Sequence, residues 1–334
     1  MSYLYLIAGL LLLIAGGNYL VKGGVAVAKR FKVPTLIIGM TIVAFGTSSP
    51  EFIVSLQSAL QGHSEMSIGN VVGSNIANIG LILGITALIL PMAVNRTSVK
   101  IDVPFMIFCS LLFYILAEDS VISRCEGAIF VALIILFTLL SIYKGKKDAK
   151  ATVQATVPAE EPVKEETPKE KDLNMISAII MIVASCAALT VGANLLIDSA
   201  VSIAKDFGVS ERVISVTLVA FGTSIPELAT SIMAAIRKEN DIAIGNVVGS
   251  NIFNILFVIG CSALITPIEN FDFASFSFDF YWMIIFAAIL ALTVIPFERI
   301  VKKIKDEKVY SIMTRFEGFC MVAAYIVYVI LLLN

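Results

Sequence analysis

Residues 46–51 read GTSSPE, and residues 222–227 read GTSIPE. A second stretch, IGNVVGSNIANIG at 68–80, returns as IGNVVGSNIFNIL at 244–256, with 11 of 13 positions identical. Both pairs are separated by 176 positions, and the register between the copies has no gap across the intervening residues. A polar, Pro-broken motif with a glutamate, carried twice inside apolar segments, is typical of membrane transporters whose site lies where two repeats meet.

The composition indicates a membrane protein rather than a soluble one. Apolar residues make up 58% of the chain and charged residues 15%, whereas soluble domains are about 45–50% apolar and about 25% charged. The apolar residues also form long blocks, and roughly 20 such residues span a bilayer as a helix. The sequence predicts ten spans, at 3–21, 34–60, 67–90, 103–117, 124–143, 174–200, 211–236, 242–266, 279–297 and 315–333.

One segment, 144–173, interrupts the series of spans. It is rich in Lys, Glu, Pro, Thr and Ala, and its large apolar residues are valines and the terminal Leu173, so it cannot bury a core and is predicted to be a flexible charged linker. It separates a first repeat at 1–143 from a second at 174–334. Because each repeat has an odd number of spans, the second must enter the membrane from the opposite side. The predicted fold class is an all-α polytopic membrane protein, with ten transmembrane helices as two inverted five-helix repeats.

The distribution of Lys and Arg predicts the orientation, since cytoplasmic loops collect positive charge. With the amino terminus outside, 21 of the 24 Lys and Arg residues fall on the cytoplasmic side, and Arg124, Lys205 and Arg212 fall outside. We therefore expect a multi-pass protein of the cell membrane with both termini extracytoplasmic, the linker in the cytoplasm and the lipid bilayer as partner. The net charge of −2 points to no nucleic-acid partner, and no protein partner is predicted.

Glu51 and Glu227 lie near the middle of their spans, where a charged residue costs about 2.5–3.5 kcal/mol on insertion scales. Such a residue usually faces a cavity and marks an ion or proton path. The alternative is a protonated glutamate hydrogen-bonded within the bundle, but the duplication of the same polar context favours the ion path. Hydroxyl residues share a helix face with each glutamate at four-residue spacing: Thr47, Ser55, Thr223 and Ser231.

The prolines of the motif predict free backbone oxygens. Pro50 and Pro226 have no N–H and clash with the carbonyl four residues back, which frees the carbonyls of Gly46 and Gly222. Nearby residues become candidate ligands by their proximity to the break: Ala44, Ala220, Thr47 and Thr223. Carbonyls, hydroxyls and carboxylates form an all-oxygen set suited to hard cations such as Ca²⁺ and Na⁺. Neither motif contains His or Cys, which disfavours zinc or copper.

The second motif predicts the opposite wall of the site. Polar residues repeat at four-residue spacing on one face of each copy: Asn70, Ser74, Asn78, Asn246, Ser250 and Asn254. For the last two residues of each copy, cation ligation is favoured over hydrogen bonding between helices. For Asn70 and Asn246 the two roles are balanced, and both residues are left out of the predicted site. The intervening glycines favour close packing of membrane helices.

These residues resemble the sodium/calcium exchanger family of the cation/calcium exchanger superfamily. The match covers both signature repeats of that family, G-T-S-x-P-E and G-N-x-x-G-S-N-x-x-N, and its plan of ten spans with a linker in the middle. The resemblance implies a secondary antiporter that exchanges Na⁺ for Ca²⁺ by alternating access and needs no cofactor. It also implies one Ca²⁺ position and several Na⁺ positions.

The resemblance assigns a role to each matched position. Glu51 and Glu227 are implied to hold Ca²⁺, with Thr47 and Thr223 as carbonyl donors. The flanking Na⁺ positions are implied to be lined by Ser48, Ser224, Ser74, Ser250, Ala44 and Ala220.

The two central positions depart from the family pattern. Some relatives carry Asp at one of them, and the potassium-dependent branch is acidic at the second, whereas this chain has Asn78 and Asn254. This argues against a potassium requirement. A proton- or potassium-coupled cation antiporter on the same scaffold is the alternative, and a cation channel is a more distant one. No nucleophile–base pair or metalloprotease motif indicates an enzyme.

The charge balance of the site supports exchange independently of the resemblance to the family. Two bare carboxylates carry a charge of −2, which disfavours reorientation of the empty site. One Ca²⁺ or two Na⁺ neutralise them, and a third Na⁺ leaves +1, so only loaded states should reorient and transport should be electrogenic. The least polar spans, 3–21 and 174–200, are predicted to slide as gates, and the resemblance implies the same.

Overall fold

The computed structural model describes residues 2–155, 174–207, 222–294 and 309–333. Helices account for nearly all of these residues, with a short pair of strands between them. The described helices are α1 (Ser2–Phe31), α2 (Thr35–Thr47), α3 (Ser49–Leu60), α4 (Ser64–Ile89), α5 (Ser98–Ala117), α6 (Arg124–Ala155), α7 (Met175–Asp206), α8 (Ile225–Ile236), α9 (Asn240–Ile265), α10 (Phe273–Val294) and α11 (Arg315–Leu333).

The described helices confirm the predicted class of polytopic membrane protein. Within the described residues, eight helices are long and apolar enough to cross a membrane, and the bent pair of α2 and α3 makes a ninth span. α8 is a shorter apolar helix that matches the end of the predicted span 211–236. The beginning of that span, including the predicted site residue Ala220, lies outside the described residues.

Several helices extend beyond the apolar blocks that predicted them. α1 continues to Phe31, and its last turn carries Lys29 and Arg30, which complement the negative end of the helix dipole. α6 continues to Ala155, so the first part of the predicted linker is helical in the structure. The remainder of that segment, 156–173, lies outside the described residues.

The predicted helix break is present in the first repeat, and the described part of the second repeat shows the same helix start after it. α2 ends at Thr47 and α3 begins at Ser49, with a bend of 49° between them. Ser48 and Ser224 leave the helical conformation with nearly the same backbone angles, φ −85° and ψ 9° against φ −90° and ψ 2°. The following prolines lie in the first turn of α3 and α8, where a missing N–H leaves no hydrogen bond unmade. The prolines therefore start new helices in the middle of the bundle.

The central helices α4 and α9 contain matching π-helical segments. These segments run over Asn78–Leu83 in α4 and Asn254–Ile259 in α9. π-helical turns are rare and occur frequently at functional sites. Each segment begins at the asparagine that ends the second motif, and α4 and α9 are the most buried of the spans found in the described residues.

The first helix of each repeat packs closely against the other. A Cβ atom at Gly9 would lie 2.8 Å from the carbonyl oxygen of Gly192, and one at Gly16 would lie 2.9 Å from Leu189 Cγ. Glycines at these crossings let the two backbones approach, as small residues do in membrane helix pairs. A hydrogen bond of 3.1 Å joins the hydroxyls of Ser2 and Ser202 at the end of this α1–α7 interface.

A small antiparallel sheet, absent from the sequence prediction, joins the two repeats. β1 (Met92–Asn95) follows α4 and pairs with β2 (Val309–Met313), which precedes α11. Ile122, before α6, forms an isolated bridge with Ile268, after α9. Each contact links the exit of a central helix to the entrance of the last helix of the other repeat. These strands are so short that they show no recognisable alternation of apolar and polar residues between the apolar spans.

Candidate cation-binding site

The two glutamates of the first motif meet at the centre of the bundle. Glu51 lies in the first turn of α3 and Glu227 in the first turn of α8, and they are 1% and 0% exposed. The two carboxyl groups are close enough to interact electrostatically. The positive end of a helix dipole favours a negative charge at each position. The break in each repeat therefore places a carboxylate where the backbone helps to stabilise it.

Each carboxyl group is only partly satisfied by the protein. Glu227 Oε1 accepts hydrogen bonds from Ser48 Oγ at 2.9 Å and from Ser250 Oγ at 3.4 Å. The Thr223 side chain hydrogen-bonds to Glu51. The second oxygen of each carboxyl group, Oε2, is buried and has no partner within the described residues. One oxygen per glutamate therefore remains available to a ligand.

The Thr47 hydroxyl is surrounded by acceptors of the protein, and one of them is the Glu227 carboxyl group. Its Oγ1 lies 3.1 Å from Asn246 Oδ1, and it also lies 3.2 Å from the carbonyl oxygen of Val43 and 3.3 Å from that of Ala44. The hydroxyl has a single proton, which these acceptors share. Any ligand role of Thr47 would therefore fall to its backbone carbonyl, as the resemblance to the exchanger family implies.

The two asparagines left out of the predicted site hold the glutamate helices in place. Asn70 Nδ2 donates to the carbonyl oxygen of Glu51 at 3.1 Å and to Ser55 Oγ at 2.8 Å. Asn246 Nδ2 makes the equivalent contacts, to the Glu227 carbonyl oxygen at 3.4 Å and to Ser231 Oγ at 3.0 Å. Hydrogen bonding between helices is therefore their role in this structure. Ser55 and Ser231 receive these amide protons on the glutamate face of α3 and α8.

A crossed set of amide hydrogen bonds joins α4 to α9. Asn78 Nδ2 donates to Asn251 Oδ1 at 2.9 Å, and Asn254 Nδ2 donates to Asn75 Oδ1 at 3.1 Å. Asn75 and Asn251 also donate to each other's carbonyl oxygens, at 3.3 Å in both directions. We call these residues, Asn75, Asn78, Asn251 and Asn254, the amide lock. All of them are at most 1% exposed.

The amide lock fixes the direction of the two central amides. Because the NH₂ groups of Asn78 and Asn254 are used across the helix pair, their Oδ1 atoms point away from these bonds. Both Oδ1 atoms are buried and have no partner within the described residues. The motif spacing did not predict Asn75 and Asn251, because they lie outside the face that repeats every four residues. Their duplication within GSN at 73–75 and 249–251 was the available signal.

The open oxygens define the chemistry of the site. Unpartnered buried oxygens within the described residues include Glu51 Oε2, Glu227 Oε2, Asn78 Oδ1, Asn254 Oδ1 and Ser224 Oγ. Leaving such atoms without a partner costs about 1–3 kcal/mol each. Carboxylate, amide and hydroxyl oxygens are the ligands of hard cations. Across the part of the chain that the structure describes, no group of three or more His, Cys, Asp or Glu side chains could hold a metal ion.

The remaining predicted residues lie around these atoms. Ser74 is buried on α4, one turn before Asn78, and Ser250 occupies the same position on α9. Ala44 is fully buried on α2, and its Cβ would lie 2.9 Å from a Cβ placed on Gly249. The structure therefore brings the described predicted residues to the crossing of the motif helices.

Comparison with known proteins places the chain in a family. A family model described as sodium/calcium exchanger protein matches residues 1–143 and 177–334. Putative antiporter CaxA of Alkalimonas amylolytica is 37% identical over 331 residues, which cover 99% of this chain and 98% of the relative. Sodium/calcium exchanger MaX1 of Methanosarcina acetivorans is 35% identical over 304 residues, which cover 82% of this chain and 86% of the relative.

A solved structure has the same fold over nearly the whole chain. The sodium-calcium exchanger NCX_Mj, soaked with zero Na⁺ and Ca²⁺, matches with a TM-score of 0.78 and 27% identity over 98% of both chains. The match therefore includes both repeats and both motifs. With two buried glutamates close enough to interact where the repeats meet, this chain belongs to the sodium/calcium exchanger family and is a multi-pass membrane cation/Ca²⁺ antiporter.

Proposed function

We propose that this antiporter exchanges Na⁺ for Ca²⁺ by alternating access, without a requirement for K⁺. The observation that carries the proposal is the meeting of two buried glutamates, Glu51 and Glu227, in a site with four unpartnered carboxylate and amide oxygens. Oxygen ligands of this kind bind Ca²⁺ and Na⁺ in preference to soft metals. The name of the relative MaX1 as a sodium/calcium exchanger supports the same ion pair.

The proposed ligands divide between a divalent and a monovalent role. Glu51 and Glu227 hold Ca²⁺ through their carboxylates, and Thr47 and Thr223 add backbone carbonyls. The Na⁺ positions are lined by Ser48, Ser224, Ser74, Ser250, Ala44 and Ala220, the last of which lies outside the described residues. Asn78 and Asn254 face the centre with their Oδ1 atoms.

The charge of the site accounts for obligatory exchange. An empty site carries −2, and moving it through a low-dielectric core is strongly disfavoured. Ca²⁺ or two Na⁺ cancel this charge, and a third Na⁺ gives +1. Reorientation therefore requires bound ions, which couples the two fluxes. The three-Na⁺ state moves net charge, so transport is electrogenic.

We propose that α1 and α7 form the moving element. They pack against each other through Gly9 and Gly192, where the backbones approach closely. α1 also packs beside the site, since a Cβ at Gly17 would lie 2.9 Å from the carbonyl oxygen of Ala229, two residues after Glu227. Sliding of this pair would open the site to one side of the membrane at a time. Both termini face the outside in this arrangement, and the linker faces the cytoplasm.

The alternatives differ in the ion that drives uptake. A proton- or potassium-coupled antiporter would use the same scaffold, but the neutral Asn78 and Asn254 leave only two formal charges at the centre. A cation channel would conduct without a counter-ion. The duplicated site with two paired carboxylates favours exchange over a channel, and the neutral asparagines argue against a potassium requirement.

Uptake of radiolabelled Ca²⁺ into proteoliposomes separates these possibilities. Vesicles loaded with Na⁺ should take up Ca²⁺, and vesicles loaded with K⁺ alone or given only a pH gradient should not. An imposed potential should change the rate of Na⁺-driven uptake, since one charge in 100 mV corresponds to roughly 2.3 kcal/mol. A strict K⁺ requirement, equal uptake with a pH gradient alone, or a rate indifferent to voltage would each contradict a specific part of the proposal.

A further inference from the structure

The short connection between α8 and α9, residues 237–239, holds α1 against the helix that carries Glu227. Arg237 Nε donates a hydrogen bond of 2.7 Å to Asn18 Oδ1 of α1, and both side chains are half-buried. Glu239 interacts electrostatically with Arg237 and with Lys29, in the last turn of α1. We call these four residues, Asn18, Lys29, Arg237 and Glu239, the α1 latch.

α1 also covers α8 between the latch and the ion site. A Cβ at Gly17 would lie 2.9 Å from the carbonyl oxygen of Ala229 and 3.2 Å from Met233 Cγ. The residues 176 positions earlier on α3 are Ile53 and Gln57, and both are exposed. The helix of Glu227 is therefore covered on the latch side, whereas the matching face of α3, which points to the other side of the membrane, is left open.

The connection between α3 and α4, residues 61–63, has the same backbone as the connection after α8. Its middle residue, Gly62, has φ 77°, and Lys238 at the matching position has φ 61°. The next amide of each connection donates to the carbonyl oxygen five residues back, at 2.8 Å from His63 and 2.9 Å from Glu239. Differences between the two connections therefore lie in their side chains.

The residues that face these connections are the same on α1 and α7. Asn18 of α1 corresponds to Asn194 of α7, and Lys29 corresponds to Lys205. Each of the two helices therefore offers an amide and a lysine to the connection at its own end.

The connections themselves differ in charge. Residues 237–239 read RKE, and residues 61–63 read QGH, so Gln61 replaces the arginine of the latch and His63 replaces its carboxylate. Gln61 and Asn194 are both exposed and are not hydrogen-bonded to each other in this structure. A charged latch is therefore available on one side of the membrane only.

We propose that the α1 latch makes the empty exchanger rest closed on the latch side, which is the cytoplasmic side in the predicted orientation. The proposal rests on the sliding of α1 and α7 proposed above. When these helices slide, α1 leaves Arg237 and α7 approaches Gln61, which can give Asn194 only a neutral hydrogen bond. A hydrogen bond from a charged donor is roughly twice as strong as a neutral one, so the state closed by the latch is favoured.

The latch acts on ion binding through α1 and not through contact with the ion. A cation from the opposite side meets a site that is already open to it. A cation from the latch side binds only to the fraction of molecules in which the latch has opened, which weakens its apparent affinity by that fraction. Arg237 and Glu239 are therefore positioning residues that give the two sides of the exchanger different apparent affinities.

Hydrogen–deuterium exchange of the full chain in detergent, without Na⁺ and Ca²⁺, tests the latch, because exchange reports local opening. The peptides to compare are 229–240, at the end of α8, and 53–64, at the end of α3. Arg237→Gln should raise exchange in the first peptide relative to the second about tenfold, as expected for the loss of one hydrogen bond to a charged group. Lys238→Gln is the matched control, because Lys238 is exposed in the same turn and makes no hydrogen bond to α1 within the described residues.

An exchange of side chains between the connections separates the latch from a purely structural role. The variant carries Arg237→Gln, Glu239→His, Gln61→Arg and His63→Glu. Because the two turns have the same backbone, this chain should fold, and the ratio of exchange rates in the two peptides should reverse.

Three results would overturn the proposal: an unchanged ratio in folded Arg237→Gln, an equal change with Lys238→Gln, or a fourfold variant in which exchange rises in both peptides without reversal. Failure of Na⁺-driven Ca²⁺ uptake would contradict the proposed function alone, since the exchange measurement contains no transported ion.

Discussion

The two glutamates have nearly the same sequence around them but different contacts. Glu227 Oε1 accepts hydrogen bonds from Ser48 and Ser250. The threonine contacts match, because the Thr223 side chain contacts Glu51 and the Thr47 side chain contacts Glu227. The serine contacts do not match, because the equivalent serines make no such contacts to Glu51 within the described residues and the Ser224 hydroxyl has no partner there. A duplicated sequence therefore does not produce a symmetric site. In transporters with inverted repeats, such a difference is expected, because the repeats must adopt different conformations for the site to open to one side.

The removal of one carboxylate at a time is expected to cause the largest loss of Ca²⁺ uptake. Glu51→Gln or Glu227→Gln leaves one charge to hold Ca²⁺. A contact between two unit charges at 4 Å is worth about 4 kcal/mol at an effective dielectric of 20, and the contact with divalent Ca²⁺ is worth at least as much. We expect Ca²⁺ uptake to fall by about a thousandfold in both variants. Glu65→Gln, at an exposed glutamate in the first turn of α4, is the control. Wild-type uptake in either folded variant would remove that glutamate from the site.

The amide lock makes matching hydrogen bonds in the two repeats and predicts equal effects of substitution in both. Asn75→Ala frees the Asn254 amide, and Asn251→Ala frees the Asn78 amide. Each loss of a buried partner costs about 1–3 kcal/mol, so the apparent KM for Ca²⁺ should rise about tenfold. The maximal rate should change less, since the carboxylates remain. A purely structural role would instead lower the amount of folded protein and leave the KM of the remainder unchanged.

The serine contacts distinguish the two repeats directly. Ser48→Ala removes a hydrogen bond to Glu227, but Ser250 still contacts this carboxyl group. The free energy of unfolding is therefore expected to fall by about 1 kcal/mol. Ser224→Ala removes a hydroxyl that has no partner within the described residues. In the absence of Na⁺ and Ca²⁺, thermal unfolding should show destabilisation by Ser48→Ala and little change with Ser224→Ala. Equal destabilisation would indicate that the resting site is symmetric.

Replacement of the segment that connects the repeats should have the smallest effect on Ca²⁺ uptake. Residues 156–173 are rich in charged residues and Pro, and their large apolar residues are valines and Leu173. This composition predicts no contribution to a buried core. Their replacement by a Gly/Ser segment of equal length leaves α6 and α7 intact. Uptake of Ca²⁺ by the purified variant should equal that of the wild type. Loss of uptake in a correctly inserted protein would show that the segment has a structural or regulatory role.

Much of the architecture follows from local pattern. The apolar blocks predicted the described spans, because a helix must satisfy its own backbone in lipid. The prolines predicted the breaks at Ser48 and Ser224, because their effect is local. The ends of α1 and α6 were less predictable, since a helix can continue past its apolar block into the interface. The pairing of β1 with β2 depends on segments far apart in the chain and leaves no local pattern.

Sequence alone was enough to assign the class of protein and to predict candidate residues for an ion site, because a polar motif duplicated within apolar spans is costly to insert unless it binds ions. Which oxygens stay open and which are used by the protein depended on the folded arrangement of the helices. Asn70 and Asn78 lie on the same face of α4, yet one binds the glutamate helix and the other binds α9 and leaves its side-chain oxygen without a partner within the described residues. The difference arises from partners on other helices, and the position of Asn78 opposite Asn251 depends on how α4 and α9 cross. The spacing of residues along a single helix does not determine how two helices cross.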